Sequence, residues 1–472
     1  MLSRFHCILR NLFSIDARCL AVFRMAIAML ILADLLLRSR FIVECYTDDG
    51  FLPRDLVAAP ACYFSLQMLD GSYALQLAHF LVATIGAVML LMGYRTRMAT
   101  VICWLLTISL HARNEFVLDA GDDLLRSMLF WSLFLPLGAR YSIDARSRPQ
   151  QDPLIVLSPA TAALLLQFAL VYFTAGWFKS DAAWRDGTAI AYALGQTQWI
   201  LPAGEFLRQY PDLLTWLTPC VVWFEIIAPL CLFIPWETRR IRMVVIPAFW
   251  LFQFGLGVTI WLHIFPLIAA VATIPFLSSV IWPMSPGNAS QPNGAASMSP
   301  SAARKRGKAL CSTALAFLAA STILLQAANF GKSLLPTQER IASLIGWNVI
   351  WSMYSNLPRY TYEFSTEATL RDGSTIDLVN SDISTGDRLR VQQFHKSYRI
   401  RYFLQTASLA SPDVPTRYLT NLILRWNQSQ PPDRHVVRAR ILGTTRKIGT
   451  PDPGETSTLL DLGLSPLAPE QG

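Results

Sequence analysis

The sequence predicts an all-α polytopic membrane bundle of about nine transmembrane helices, followed by a small extracytoplasmic α+β or mostly β domain. Three observations carry that expectation. Of the 472 residues, 53% are hydrophobic and only 15% charged, against roughly 25% charged in soluble domains. Nine apolar runs approach the ~20 residues needed to cross a bilayer. The composition then turns polar from about Gly331 onward. Together these exclude a disordered chain and an ordinary soluble enzyme.

The runs are 18–37, 74–93, 98–112, 124–138, 157–178, 212–234, 243–262, 264–282 and 309–330. The third and fourth are short and suit helices sheltered inside a bundle. The first follows Arg4, Arg10 and Arg18 as a signal peptide would. Arg24 and Asp34 interrupt it, however, and no small-residue cleavage site follows Leu37, so it reads as a retained helix. Arg24 and Asp34 lie about 15 Å apart along a helix, too far to pair, so each calls for a partner on another helix. Glu225 is a third charge within a run, just before Pro229, which can kink a helix.

Loop charges set the expected orientation. The N-terminal segment and every second loop hold 15 basic residues, among them Arg95, Arg97, Arg140, Arg239 and Arg240, against four acids: Asp16, Asp144, Asp152 and Glu237. The alternate loops hold eight basic residues and thirteen acids. Cytoplasmic loops carry the Lys/Arg excess. The N-terminus is therefore expected in the cytoplasm and the C-terminal domain outside, periplasmic or extracellular. Residues 283–308, rich in Pro, Gly, Ser and Asn, read as a flexible cytoplasmic linker ending in the basic run Arg304–Lys308. The net charge of +8 thus reflects orientation rather than a nucleic-acid partner. No cysteine pattern or His pair has metal-ligand spacing, so no metal is predicted. Cys45 and Cys62 share the first outer loop and could pair in an oxidising compartment.

Residues 331–472 form the expected soluble domain. Alternation in Thr361–Leu370 and Ser374–Val379 around Arg371-Asp372-Gly373 predicts a hairpin. Val437, Ala439 and Ile441 alternate with arginines as in a half-buried strand. Tyr418–Trp426 reads as an amphipathic helix, and the stretch after Pro451 as a loose tail. Trp347, Trp351 and Tyr354 read as an aromatic belt at the membrane interface.

Polar residues collect at one predicted level. His79, His111, His263 and Lys179 all fall at the outer ends of their runs, alongside the acidic loops Cys45–Pro53 and Arg113–Arg126. A lysine there is ordinarily a snorkelling anchor, but next to an apolar pocket it can serve as a base. Asp122 or Asp123 can cap the helix after Gly121.

Several runs of residues together resemble the HTTM (horizontally transferred transmembrane) family, related to the vitamin K-dependent gamma-carboxylase. They are Phe13–Arg18 with Phe23-Arg24, Tyr46–Arg54, Leu91–Arg97, Asp119–Asp123, Leu135–Arg140, and Tyr172–Lys179 continuing to Trp184–Gly187. The resemblance covers about residues 13–282. The remainder, with a last helix at 309–330, looks more loosely like the extracytoplasmic domain of some bacterial members. The resemblance implies that a lysine after the Ala-Gly pair deprotonates reduced vitamin K or another quinol. Oxygenation then yields a strong base that takes a proton from a substrate glutamate, to which carbon dioxide adds. Lys179 matches that lysine. The carboxylase has a histidine after an Asn-Asn pair where this chain reads Asn114-Glu115-Phe116, with His111 nearby. Lys179 and His111 are thus the candidate catalytic residues, and His79, His263, Asp122, Asp123 and Trp184 the candidate cofactor-binding residues. The implied partners are membrane lipid and a glutamate-containing peptide or protein. The competing expectation is a non-catalytic protein that binds a lipophilic ligand and displays its C-terminal domain. A transporter is less favoured, because no internal repeat is visible.

Overall fold

The computed structural model describes residues 2–57, 65–147, 154–282, 351–378, 413–449 and 454–463, with Thr313, Ala316 and Ala320 as isolated positions. The linker 283–308, nearly all of the ninth run, Cys62 and Trp347 lie outside the described residues. The N-terminal region is helical: α1 (Leu2–Phe13), α2 (Ala17–Ser39), α3 (Tyr73–Met92), α4 (Thr96–Arg113), α5 (Ala120–Ser132), α6 (Pro159–Trp177), α7 (Pro211–Cys231), α8 (Thr238–Thr259) and α9 (Phe265–Ala272). Five of these, α2, α3, α6, α7 and α8, are long and apolar enough to cross a membrane. The expected count of nine is not reached among the described residues. Helix α4 has 18 residues but carries several polar and charged ones, α5 has 13, and the eighth run breaks after α9 into a short 3₁₀ turn and a last helical turn.

Local chemistry sets the helix ends. Asp16 caps α2 by accepting from the Arg18 amide at 2.8 Å. Ser158 and Thr161 form a capping box around Pro159, the first residue of α6, where a missing N–H costs nothing. Helix α3 stops at Gly93, whose φ of 68° is the left-handed conformation favoured at helix C-termini.

Loop contacts sort the helix ends into two groups. In one, the Arg113 and Asn114 side chains donate to the Thr47 and Cys45 carbonyls at 3.3 and 2.9 Å. There too the chain at Ile200 bridges to Ile260. In the other, Arg24 reaches the Leu137 and Tyr141 carbonyls, Asp144 caps α4, and Arg242 reaches the Leu12 carbonyl.

The C-terminal part is a four-stranded antiparallel sheet with one helix. Strands β1 (Tyr360–Leu370), β2 (Thr375–Asp377), β3 (Val436–Lys447) and β4 (Glu455–Gly463) run in the order β2-β1-β3-β4. The predicted hairpin is present. Asp372 accepts from the Ser374 amide at 2.8 Å across the turn at Gly373. Helix α10 (Asp413–Ser429) contains the predicted segment and buries Tyr418, Leu422 and Trp426. Two expectations change. Thr369 pairs with Arg438 and Leu370 with Val436, so the register skips Val437 and buries Val436, Ala439 and Ile441 instead. Within the stretch expected to be loose, Glu455–Gly463 is an edge strand paired to β3.

This unit docks on the first group of loops. Asn421 donates to the Gly50 carbonyl at 2.7 Å, Arg425 pairs with Glu44 at 3.1 Å, and Tyr418 meets Phe51 edge-on at 4.8 Å. Trp351 is buried at 2% exposure. It is therefore part of the packed interior rather than of an aromatic belt.

Candidate functional site

Lys179 follows the C-terminus of α6. Three residues earlier, Gly176 removes a side chain from the α6–α7 contact. A Cβ there would lie 2.8 Å from Ile226 Cγ1 and 3.0 Å from Glu225 Cβ. The close approach that Gly176 permits brings the Glu225 Oε2 to 2.5 Å from Lys179 Nζ. The same ammonium donates to the Ala175 carbonyl at 3.3 Å and to the Met353 carbonyl at 3.2 Å. The Trp184 ring centroid lies 5.0 Å away, within cation–π range. An ammonium has three donors, and here each has an acceptor. The side chains of Lys179 and Glu225 are 3% and 9% exposed. Lys179 is therefore a buried, paired lysine and not a snorkelling anchor.

The chain beyond the bundle closes this site. Trp184 Nε1 donates to the Tyr354 carbonyl at 2.8 Å, and Gln196 Nε2 to those of Pro358 and Tyr360, both at 3.3 Å. Arg359 lies over the Tyr192 ring at 4.3 Å and pairs with Asp181 at 3.3 Å. Tyr354 itself has a φ of 56°, an uncommon conformation for a residue other than glycine.

A second polar cluster sits between α2, α4 and α5. Arg38, fully buried, donates to Asp34 at 2.7 Å, Asp122 at 2.6 Å and the Tyr46 hydroxyl at 2.8 Å. His111 Nε2 lies 3.6 Å from Asp122, too far for a hydrogen bond. Neither ring nitrogen has a hydrogen-bond partner among the described residues. Ligand atoms of Asp34, His111 and Asp122 fall within 4.8 Å of one another, a grouping that single-helix spacing did not reveal. Arg38 already supplies the positive charge that both carboxylates face, so the arrangement is a charge cluster before it is a metal cage. Asp34 pairs with Arg38 on its own helix, four residues away.

The HTTM domain family matches residues 13–282, more than half of the chain. The chain belongs to the HTTM family. No curated protein and no solved structure matches it. The HTTM motifs fall on the structural features above. Tyr46–Arg54 carries the docked C-terminal unit, and Asp119–Asp123 opens α5. Leu91–Arg97 meets Leu135–Arg140 at the far end of the bundle, and Tyr172–Lys179 builds the lysine site.

The other expected residues divide among these places. Trp184 joins Lys179. Asp122 joins His111, and also completes a capping box with Asp119, the true N-cap of α5. Asp123 pairs instead with Arg126 on its own helix. His79 Nε2 lies 3.2 Å from the Leu106 carbonyl and ties α3 to α4. His263 is half-buried in the turn before α9, with a φ of 54°. Sequence reasoning did not single out Arg38, although a basic residue four positions after an intrahelical Asp is a detectable signal. It also gave no hint of Met353, which only the fold brings to Lys179.

Proposed function

We propose that this membrane protein is a proton-handling enzyme, a quinol-linked carboxylase or related oxygen-using catalyst, with Lys179 as its general base. The supporting observation is the buried Lys179–Glu225 pair. A base must first lose its own proton, and Glu225, 2.5 Å from Nζ, is placed to take it. Reduced vitamin K or another quinol, when bound, supplies an acidic hydroxyl and the reducing equivalents that oxygen needs. The chain's residues suit such a group: Trp184 offers a flat ring face and Nζ a proton acceptor. In the present arrangement the Met353 carbonyl occupies one Nζ donor, so the 351–357 segment has to give way before a substrate hydroxyl reaches Nζ. The loop-charge bias supports a cytoplasmic N-terminus, with this site and the C-terminal unit outside, where a glutamate-containing peptide or protein could reach it.

A second reading is a non-catalytic protein that binds a lipophilic ligand and displays its C-terminal unit. It is favoured by the saturated hydrogen bonding of Lys179, which equally describes a structural clamp. The test is to incubate the purified protein in lipid with reduced vitamin K, oxygen, labelled bicarbonate and a glutamate-rich peptide. Label uptake and quinone epoxide that vanish in Lys179→Ala establish the enzyme. Absence of both from folded wild-type protein sinks the carboxylase and leaves the binding role.

A further inference from the structure

The HTTM motifs Leu91–Arg97 and Leu135–Arg140 take no part in the lysine site. They meet at the opposite end of the bundle, around a cavity of about 410 Å³. Arg95, Arg97 and Asp144 line its mouth, and Met98, Leu133 and Pro136 give it apolar walls. Of these, Met98 is 42% exposed. The lining thus joins exposed arginines to an outward-facing apolar side chain.

The charges at the mouth do not cancel. The Asp144 carboxylate is committed to α4: it accepts from the Arg95 and Thr96 amides and from the Thr96 hydroxyl, each at 2.8 Å. The guanidinium groups of Arg95 and Arg97 have no hydrogen bond or ion pair among the described residues. That of Arg95 lies 5.7 Å from the Tyr94 ring. Arg24, fully buried, is held by the Leu137 and Tyr141 carbonyls at 3.2 and 2.6 Å, with no ion pair among the described residues. In the lining, two arginines thus stand with one aspartate. Their backbone frame is built for the purpose: Gly93 leaves room for the Arg24 guanidinium, which would lie 2.3 Å from a Cβ there. Arg95 is held at a φ of 45°.

We propose that this cavity binds one anionic phospholipid, its phosphate on Arg95 and Arg97 and an acyl chain along Met98 and Leu133. Arginine forks match phosphate oxygens in paired hydrogen bonds. Free phosphate would use the guanidinium groups but not the apolar walls. A zwitterionic lipid would use the walls but bring a cation towards the arginines. A simple excess of positive charge on loops predicts no preference for this pair over other exposed arginines, and that difference is measurable.

The experiment is native mass spectrometry of the full-length protein, titrated with phosphatidylglycerol or phosphatidylcholine. Expected is tighter retention of one phosphatidylglycerol, weakened at least about tenfold in Arg95→Gln/Arg97→Gln, a loss of roughly 1.4 kcal/mol. The pair Arg239→Gln/Arg240→Gln removes two exposed cations outside the cavity and should leave retention unchanged. If the first double variant does not fold, Arg97→Gln alone, at an exposed position with ordinary backbone, should weaken retention at least about threefold. Equal retention of both lipids, equal loss in the Arg239/Arg240 pair, or full displacement by millimolar inorganic phosphate would each overturn the proposal.

Discussion

Removing either partner of the Lys179–Glu225 pair separates a buried ion pair from a snorkelling lysine. With side chains 3% and 9% exposed and 2.5 Å between Nζ and Oε2, Lys179→Met leaves Glu225 buried without its cation. It also leaves the Ala175 and Met353 carbonyls without their donor. Breaking such a pair from one side costs about 3–5 kcal/mol, because the remaining charge is uncompensated. An exposed pair would cost about 0.2–1 kcal/mol. Glu225→Gln strands the ammonium in the same way, with two carbonyls still to hold it, so its cost should lie at the lower end of the range. The double variant Lys179→Met/Glu225→Gln removes both charges and should be more stable than the sum of the single losses implies, by about 2–3 kcal/mol. Denaturation in mixed micelles, followed by tryptophan fluorescence, gives all four corners of the cycle. Single variants within about 1 kcal/mol of wild type, together with simple additivity, would refute the buried-pair argument and restore the snorkelling one.

Gly93→Ala should lower stability by more than about 1 kcal/mol, since it combines a left-handed φ with a Cβ 2.3 Å from both Arg24 Nη1 and Ser142 Cβ; the same thermal or chemical melts read it. Burial pushes the Asp48 carboxyl up, but hydrogen bonds and charge from Arg54, with the charge of Arg113, outweigh this and hold it below the ordinary carboxylate range. Its stabilisation is therefore present above the unfolded value of about 3.9 and lost as pH falls through the folded value, so Asp48→Asn should flatten the acid limb of a stability–pH profile. Asn421→Ala removes the 2.7 Å bond to the Gly50 carbonyl. It should loosen the docked C-terminal unit by about 1 kcal/mol, seen as faster limited proteolysis of residues 413–463.

What the sequence made legible was whatever depends on near neighbours. Apolar runs placed α2, α3, α6, α7 and α8 to within a few residues, and Asp372-Gly373 placed the β1–β2 turn. Register was less legible, because the skip at Val437 is set by pairing with Thr369 and Leu370 across the sheet and not by alternation along one strand. The edge strand Glu455–Gly463 was missed for a related reason. Most of its residues are exposed, so it carries little hydrophobic signal, and its order comes from hydrogen bonds to β3. At the candidate site, Lys179, Glu225 and Trp184 each stood out as residues. Their meeting depends on Gly176 and on the path of 351–360, which no local pattern encodes. His111 and Asp122 likewise met only through α4 and α5, with Arg38 on the same Asp122 carboxylate.

The two ends of the bundle treat their buried arginines differently, and this bears on how the chain sits in a membrane. At the end that carries the C-terminal unit, Arg38 faces Asp34 and Asp122, and Arg113 has Asp48 at 3.8 Å. At the other end, Arg24 donates to the Leu137 and Tyr141 carbonyls while its Nε has no partner among the described residues, and Arg242 donates to oxygens that carry no formal charge. Arg242 donates to the Leu232 and Leu12 carbonyls and to the Ser279 hydroxyl at 3.1, 2.8 and 3.1 Å. Carbonyl oxygens satisfy the hydrogen bonds of a guanidinium but leave its charge in place. The excess of positive charge in one set of loops is thus repeated inside the fold, where salt screens it far less than at an exposed loop. An interior bias of this kind cannot be erased by changing loop arginines alone. A variant stripped of Arg239 and Arg240 should therefore keep its orientation, whereas exchanging Arg24 and Arg242 for methionine as well should be needed to weaken it, as read by reporter fusions on either side of α2.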